Sequence, residues 1–147
     1  MSERALLDTN VLVYAMHPED ERHKACFELV DATRDPSSEL CIAPRNLAEF
    51  YRVVTDPRKV PEARTVEQAL GAVEALLSRS GLEVLPVPTD LVSRWVNLVR
   101  HRPVTGARLF DVILVATMLG NDITQIYTYN RRDFEPFEQL NVRTPGE

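Results

Sequence analysis

The chain is 147 residues long, with 44% apolar and 27% charged residues, a globular balance at the size of one domain that can bury a core without disulfides or metals. Its formal net charge is −5, which excludes a broadly basic nucleic-acid-binding surface, because phosphate contacts draw on Lys and Arg; any such surface must be local. Cys26 and Cys41 form no CxxC pair and have no His at zinc-ligand spacing, so both are expected as buried, reduced thiols. Neither end reads as a targeting segment and no apolar run approaches the ~20 residues a bilayer needs, so a cytoplasmic protein with no membrane partner is expected.

In chain order, Ala5-Leu6-Leu7 is an apolar run that stops at Asp8 and reads as a buried strand. Thr9-Asn10 supplies turn or cap chemistry before a short helix, Val11-Leu12-Val13-Tyr14-Ala15, which His17-Pro18 breaks. Residues 19–33 are predicted helical, with acids in the first turn and Ala25, Leu29 and Ala32 on one face. After the turn Asp35-Pro36-Ser37-Ser38, Leu40-Cys41-Ile42 reads as a second strand. Pro44 opens a helix whose Leu47, Phe50, Tyr51 and Val54 fall at i, i+3, i+4 and i+7, and Asp56-Pro57 ends it.

Thr65 and Gln68 form a capping box for a helix whose apolar face carries Val66, Ala69, Leu70, Val73, Leu76 and Leu77, stopped by Gly81. Residues 82–87 read as a third strand. Thr89 is the predicted cap of a helix carrying Leu91, Val92, Trp95, Val96 and Val99. Residues 108–119 suit a strand locally, but their length and the closing Gly120-Asn121 favour a buried helix. Ile126-Tyr127-Thr128 is a fourth strand and a fifth is expected near Val142. The alternation predicts an α/β fold, a parallel sheet covered by helices on both faces, over one domain spanning residues 1–147. In such sheets sites form at the carboxyl ends of strands, here at Asp8 and at Thr128 to Asn130.

Three dispersed carboxylates are the candidate chemistry. Asp8 ends an apolar strand, where a charge is costly unless compensated; a helix cap and a functional site explain it equally well. Glu49 lies beside the buried stripe of its helix, where a solvated side chain is the simpler explanation. Asp111 opens an almost wholly apolar helix, as a cap or as an acid in a largely buried setting. Converging carboxylates raise one another's pKa values, and a hard cation removes that conflict. With no His or Cys ligand nearby, Mg²⁺ or Mn²⁺ suits them better than zinc. The matching chemistry is hydrolysis of a phosphodiester by a metal-activated water. A receiver-like domain would want an acid paired with Asp8 and a lysine after a late strand, yet the chain's lysines are Lys24 and Lys59. A haloacid-type phosphatase would want an acid where Asn10 stands, and there is no glycine-rich phosphate loop.

Asp8-Thr9-Asn10 after the first strand, Glu49 after the second, Asp111 in Gly106-Ala107-Arg108-Leu109-Phe110-Asp111, and Thr128-Tyr129-Asn130-Arg131-Arg132-Asp133-Phe134 together resemble the four signatures of PIN-domain proteins, and most closely the VapC-type ribonuclease toxins. The resemblance runs from Ala5 to about Val142. It implies a three-layer αβα sandwich with a four- to five-stranded parallel sheet and a Mg²⁺- or Mn²⁺-dependent endoribonuclease acting on an RNA substrate. It also implies a homodimer held in check by a small cognate antitoxin protein.

By the same resemblance Asp8, Glu49 and Asp111 match the three core acids, with Thr9, Asn10 and Thr128 in support. The fourth acid departs from the pattern. Many relatives carry Asp where Asn130 stands, and Asp133 follows three residues later, so Asn130 supports and Asp133 supplies the charge, or Asn130 fills the position alone. Arg45, Arg52, Arg108 and Arg131 flank these acids in sequence and are candidate RNA contacts, as are Arg100, His101, Arg102 and Arg132. His17, His23 and His101 match no ligand pattern and are expected at the surface. The alternative is a PIN-fold RNA- or protein-binding subunit with weak or no nuclease activity.

Overall fold

A computed structural model describes residues 4–147. Its order is β1 Ala5–Leu7, α1 Thr9–Tyr14, α2 His23–Ala32, β2 Leu40–Ile42, α3 Pro44–Val54, α4 Val66–Leu77, β3 Leu82–Val84, α5 Leu91–His101, a 3-10 turn Gly106–Arg108, α6 Leu109–Gly120, β4 Gln125–Tyr127, α7 Arg131–Phe134 and β5 Asn141–Arg143. The five strands pair in parallel in the order β3-β2-β1-β4-β5. The chain therefore builds outward from β1 in one direction, then returns to build β4 and β5 on its other side. That reversal makes the carboxyl ends of β1 and β4 the topological switch point, where open α/β sheets form their crevice.

The period-2 alternation of the strands divides the core in two. Leu7 and Ile42 face one layer with Val11, Phe50 and Val54, under α1 to α4. Leu6, Cys41 and Ile126 face the other with Val115, Met118 and Phe134, under α5 to α7. Burial on both faces explains why the strands read as continuous apolar runs. Both cysteines are free and buried.

Several elements differ from the sequence expectation for local reasons. The helix expected from residue 19 begins at His23, because Asp20 instead accepts from the Arg22 backbone N–H at 2.8 Å and from its guanidinium, a local turn that competes with helix. The third strand stops at Val84, since Pro86 and Pro88 have no N–H to give to a neighbour. Thr89 does not cap α5, whose N-cap is Asp90 and makes no side-chain cap hydrogen bond. The apolar face of α4 is only partly covered: Ala69 and Leu76 are buried, whereas Val66, Leu70 and Leu77 are exposed. No residue of α5 is fully buried. Helix α7 was not foreseen; Phe134 anchors it in the core. Among the described residues no helix is long and apolar enough to cross a membrane.

Gly81 shows how tightly the α4–β3 connection is threaded. Its N–H donates to the Thr33 carbonyl at 2.9 Å, and a Cβ there would lie 1.9 Å from the Asp35 carbonyl oxygen. Backbone on both sides must move to admit a methyl group. Gly81→Ala is expected to destabilise the protein by about 1–3 kcal/mol, an overpacking cost, read as a lower urea midpoint at unchanged m-value.

Candidate active site

Asp8 is held at the switch point by its neighbours. It is the N-cap of α1, its Oδ1 accepting from the Thr9 N–H at 2.8 Å. Its Oδ2 accepts from the Thr128 hydroxyl at 2.7 Å and from the Asn10 amide at 3.3 Å. Cap and site candidate are thus the same carboxylate. It is 7% exposed, and burial raises its pKa above the ordinary carboxylate value while those hydrogen bonds oppose the rise. Thr128, fully buried at the end of β4, also accepts from the Asn130 N–H at 2.9 Å, so one hydroxyl fixes both Asp8 and the following turn.

Glu49 projects from α3 and is partly exposed. Its Oε2 accepts from the Thr9 hydroxyl at 3.2 Å and its Oε1 pairs with Arg45, one turn earlier, at 2.7 Å. The Arg45 guanidinium also lies over the Phe110 ring, 3.9 Å from its centroid. Behind this pair stands Asn46, buried, which donates to Thr9 Oγ1 at 3.1 Å and accepts from the Ala43 N–H at 2.9 Å. The sequence reading passed over Asn46. The available signal was a polar residue at the third position of a Pro-opened helix, where a side chain can reach back to the N-cap N–H.

Asp111 sits in the first turn of α6, half-buried. Its carboxyl is pushed up to about 6, first by burial and then by the negative charges of Asp133, Asp8 and Glu49, with Arg108 alone opposing. The four acids therefore feel one another, but they do not share one wall. Asp8, Glu49 and Asp111 line a cavity of about 560 Å³ together with Thr9, Asn10 and Asn130. Asp133 lines a smaller hollow on the other side of Asp111 with Arg108, whose Nη2 lies 3.4 Å from Asp133 Oδ1.

The predicted arginines scatter. Arg45 and Arg108 lie against acids of the site. Arg131 turns away to Glu135 at 3.1 Å and Glu147 at 3.4 Å, and Arg52 is exposed without lining the cavity. The cations that do line it are Arg22 and Lys59, against the carboxylates of Asp8, Glu19, Asp20, Glu49, Glu62 and Asp111. His17, expected at the surface, is only 8% exposed and lines the same cavity. The correction has a local cause: its Nδ1 lies 2.7 Å from the Val13 carbonyl at the end of α1, which folds the ring inward. His23 is half-buried with Nδ1 2.9 Å from the Tyr14 carbonyl, while His101 is exposed as expected.

The candidate ligands at the Asp8–Glu49–Asp111 end are oxygen donors, which fits a hard divalent cation in chemistry. Among the described residues no three acid, His or Cys side chains already converge on one metal-sized point; Arg45 and Arg108 hold Glu49 and Asp133 instead.

The raised Asp111 carboxyl is a stability statement. Between the unfolded value near 3.8 and the folded value of about 6, the folded state holds the proton more tightly. Stability therefore falls as pH rises through that window and the penalty is complete above it. Metal-free Asp111→Asn is expected to melt higher than wild type at pH 7, by about 1 kcal/mol after discounting for solvent screening. The gain should shrink to nothing as pH falls towards 4, followed by thermal unfolding in EDTA.

The PIN domain model matches residues 5–140. The chain is 29% identical over 139 residues to VapC ribonuclease Mb2897 of Mycobacterium bovis, covering 95% of this chain and 93% of that one. Its fold is similar to that of VapBC-1 from nontypeable Haemophilus influenzae, with TM-score 0.67, 19% identity and coverage of 97% and 98%. It is also similar to Mycobacterium tuberculosis VapC20, titled a sarcin-ricin loop cleaving toxin, with TM-score 0.66, 21% identity and coverage of 90% and 95%. A five-stranded parallel sheet in the order 3-2-1-4-5, acids at its switch point and a family match over nearly the whole length make this chain a member of the PIN-domain family.

Proposed function

We propose that this protein is a divalent-metal-dependent endoribonuclease and the toxin of a toxin–antitoxin pair. The observation that carries this is Asp111, half-buried in the first turn of α6 and lifted to about 6 by burial and three neighbouring carboxylates. Charge concentrated in this way beside a cavity, and only partly offset by Arg45 and Arg108, is an arrangement that a metal relieves. Similarity to VapC ribonucleases over 95% of the chain supports the choice of RNA as substrate.

In this proposal Asp8, Glu49 and Asp111 hold Mg²⁺ or Mn²⁺. The bound ion supplies Lewis acidity towards a phosphodiester oxygen and the attacking water. Asp8 is pre-oriented by Thr128 and Asn10, so it loses little freedom on binding a cation. Glu49, now paired with Arg45, would ligate the cation in place of that pair, and the Arg45 guanidinium at the rim would then be available to a phosphate. Asn130 lines the cavity and serves as an uncharged hydrogen-bonding group. Asp133, on the far side of Asp111, acts chiefly through the field it exerts there. Exposed apolar side chains on α2 and α4, among them Phe27, Leu70 and Leu77, offer surface for a protein partner, either a second copy or a small antitoxin.

The test is cleavage of a fluorescent single-stranded RNA by the purified protein with Mn²⁺ or Mg²⁺. EDTA should abolish cleavage, and Asp8→Asn or Asp111→Asn should lower the rate by more than about 100-fold. Asp133→Asn should cost less, on the order of tenfold, as expected for a group acting through a ligand. Equal, metal-independent activity in wild type and Asp8→Asn would overturn the proposal and leave a PIN-fold binding subunit.

A further inference from the structure

Three hydrogen bonds in series run from the N-terminus of α3 to a carboxylate of the candidate site, and chemistry fixes the direction of each. The series begins at the Ala43 backbone N–H, which can only donate. The atom it meets at 2.9 Å is therefore the amide oxygen of Asn46. With the amide turned that way, its nitrogen faces Thr9 and donates to Oγ1 at 3.1 Å. The Thr9 hydroxyl, an acceptor on that side, keeps its own proton for Glu49 Oε2 at 3.2 Å. A carboxylate only accepts, so the series ends there. Capping of α3 accounts for the bond to Ala43, but not for the amide nitrogen, which reaches out of its own helix to α1.

Thr9 meets a second acid as well. Its backbone N–H donates to Asp8 Oδ1 at 2.8 Å, so one residue holds Asp8 by its main chain and Glu49 by its side chain. Both Thr9 and Asn46 are buried, where close packing restricts their rotamers. The other oxygen of Glu49 is held differently. Its Oε1 pairs with Arg45 at 2.7 Å, and the Arg45 side chain is 42% exposed. That guanidinium already has a second resting place over the Phe110 ring. An exposed ion pair contributes little net stability, so Arg45 is the partner that gives way when Glu49 offers Oε1 to a cation. Thr9 at Oε2 is the partner that stays.

We propose that Asn46 is a positioning residue for the cation site: through the Thr9 hydroxyl it holds the Glu49 carboxylate in place while Arg45 is exchanged for the ion. Asn46 contributes no charge and touches no ion. It sets which way the Thr9 hydroxyl points, and the hydroxyl sets where Glu49 stands. Groups that hydrogen-bond a ligating carboxylate fix its orientation, and their loss weakens metal binding. The inference rests on the metal-dependent reading of Asp8, Glu49 and Asp111 and adds a residue behind them.

Mn²⁺ binding is measured without RNA, from the electron paramagnetic resonance signal of the free ion, on variants that each melt cooperatively. Glu49→Gln should weaken binding, which assigns the ion to these acids. Asn46→Ala is expected to weaken it about tenfold and Thr9→Val by a similar factor, while the double variant binds no worse than the weaker of the two single variants. Thr9→Ser keeps the hydroxyl and should bind as wild type does. An affinity unchanged in Asn46→Ala, or losses that multiply in the double variant, overturns the inference, because a residue that only caps α3 acts independently of Thr9. If Asn46→Ala does not fold, the Asn46 side-chain amide protons decide, followed by NMR. In wild type they should shift saturably with Mg²⁺, and in Thr9→Val they should lose that response. Amide protons indifferent to Mg²⁺ in wild type, or equally responsive in Thr9→Val, also overturn it. A wild type that binds no Mn²⁺, or binds it indifferently to Glu49→Gln, brings down the metal reading and this inference together. Binding that Glu49→Gln weakens and Asn46→Ala does not brings down this inference alone.

Discussion

Like charges gathered where parallel strands part company are the constraint around which this protein is arranged. Two elements that are distant in sequence, the ends of β1 and β4, meet there because the sheet reverses its building direction at β1. Asp8 arrives by that route and is buried; α3 and α6 bring Glu49 and Asp111 against it. Each local device then answers the same repulsion. The Thr128 hydroxyl, the Thr9 N–H and the Asn10 amide stabilise the Asp8 carboxylate, Arg45 partly neutralises Glu49, and Arg108 does the same for Asp133. Asp111 keeps a raised carboxyl, lifted first by its burial and then by the like charges that remain. A protein of this size folds with only a small margin of stability, so a tolerated electrostatic cost at one crevice points to a use for it.

The same constraint would reconcile an acidic chain with the polyanionic substrate proposed for it. Carboxylates dominate the cavity wall, and Arg22 and Lys59 are too few to offset them. A divalent ion held there, as proposed, would change the sign of the local field. Helix α1 contributes twice to this cavity: Asp8 caps its N-terminus, and near its other end the Val13 carbonyl turns His17 inward.

Much of this was legible in the residues. Apolar strands ending in Asp8 and Thr128, helix stripes at i, i+3 and i+4, and the placement of Glu49 and Asp111 led to the parallel sheet and to the acids that share the cavity. What the residues did not show was direction. Arg131 and Arg108 are equivalent neighbours of acids in sequence, yet Glu135 and Glu147 draw Arg131 away. Asn130, the N-cap of α7, and Asp133, within it, are three residues apart and face different hollows, which no spacing rule reveals. His17 looked like a helix breaker because its partner, the Val13 carbonyl, is backbone and carries no sequence signature. The apolar stripes of α4 and α5 were correctly periodic, but periodicity does not say whether the chain itself or another molecule covers them.

The central claim is that Asp8, Glu49 and Asp111 act together as one cation site. Anomalous diffraction from crystals grown with Mn²⁺ tests it most directly. The account predicts a manganese peak in contact with these three carboxylates, with Glu49 released from Arg45. Manganese bound elsewhere, with the Glu49–Arg45 pair intact and no peak beside Asp8 and Asp111, would contradict it.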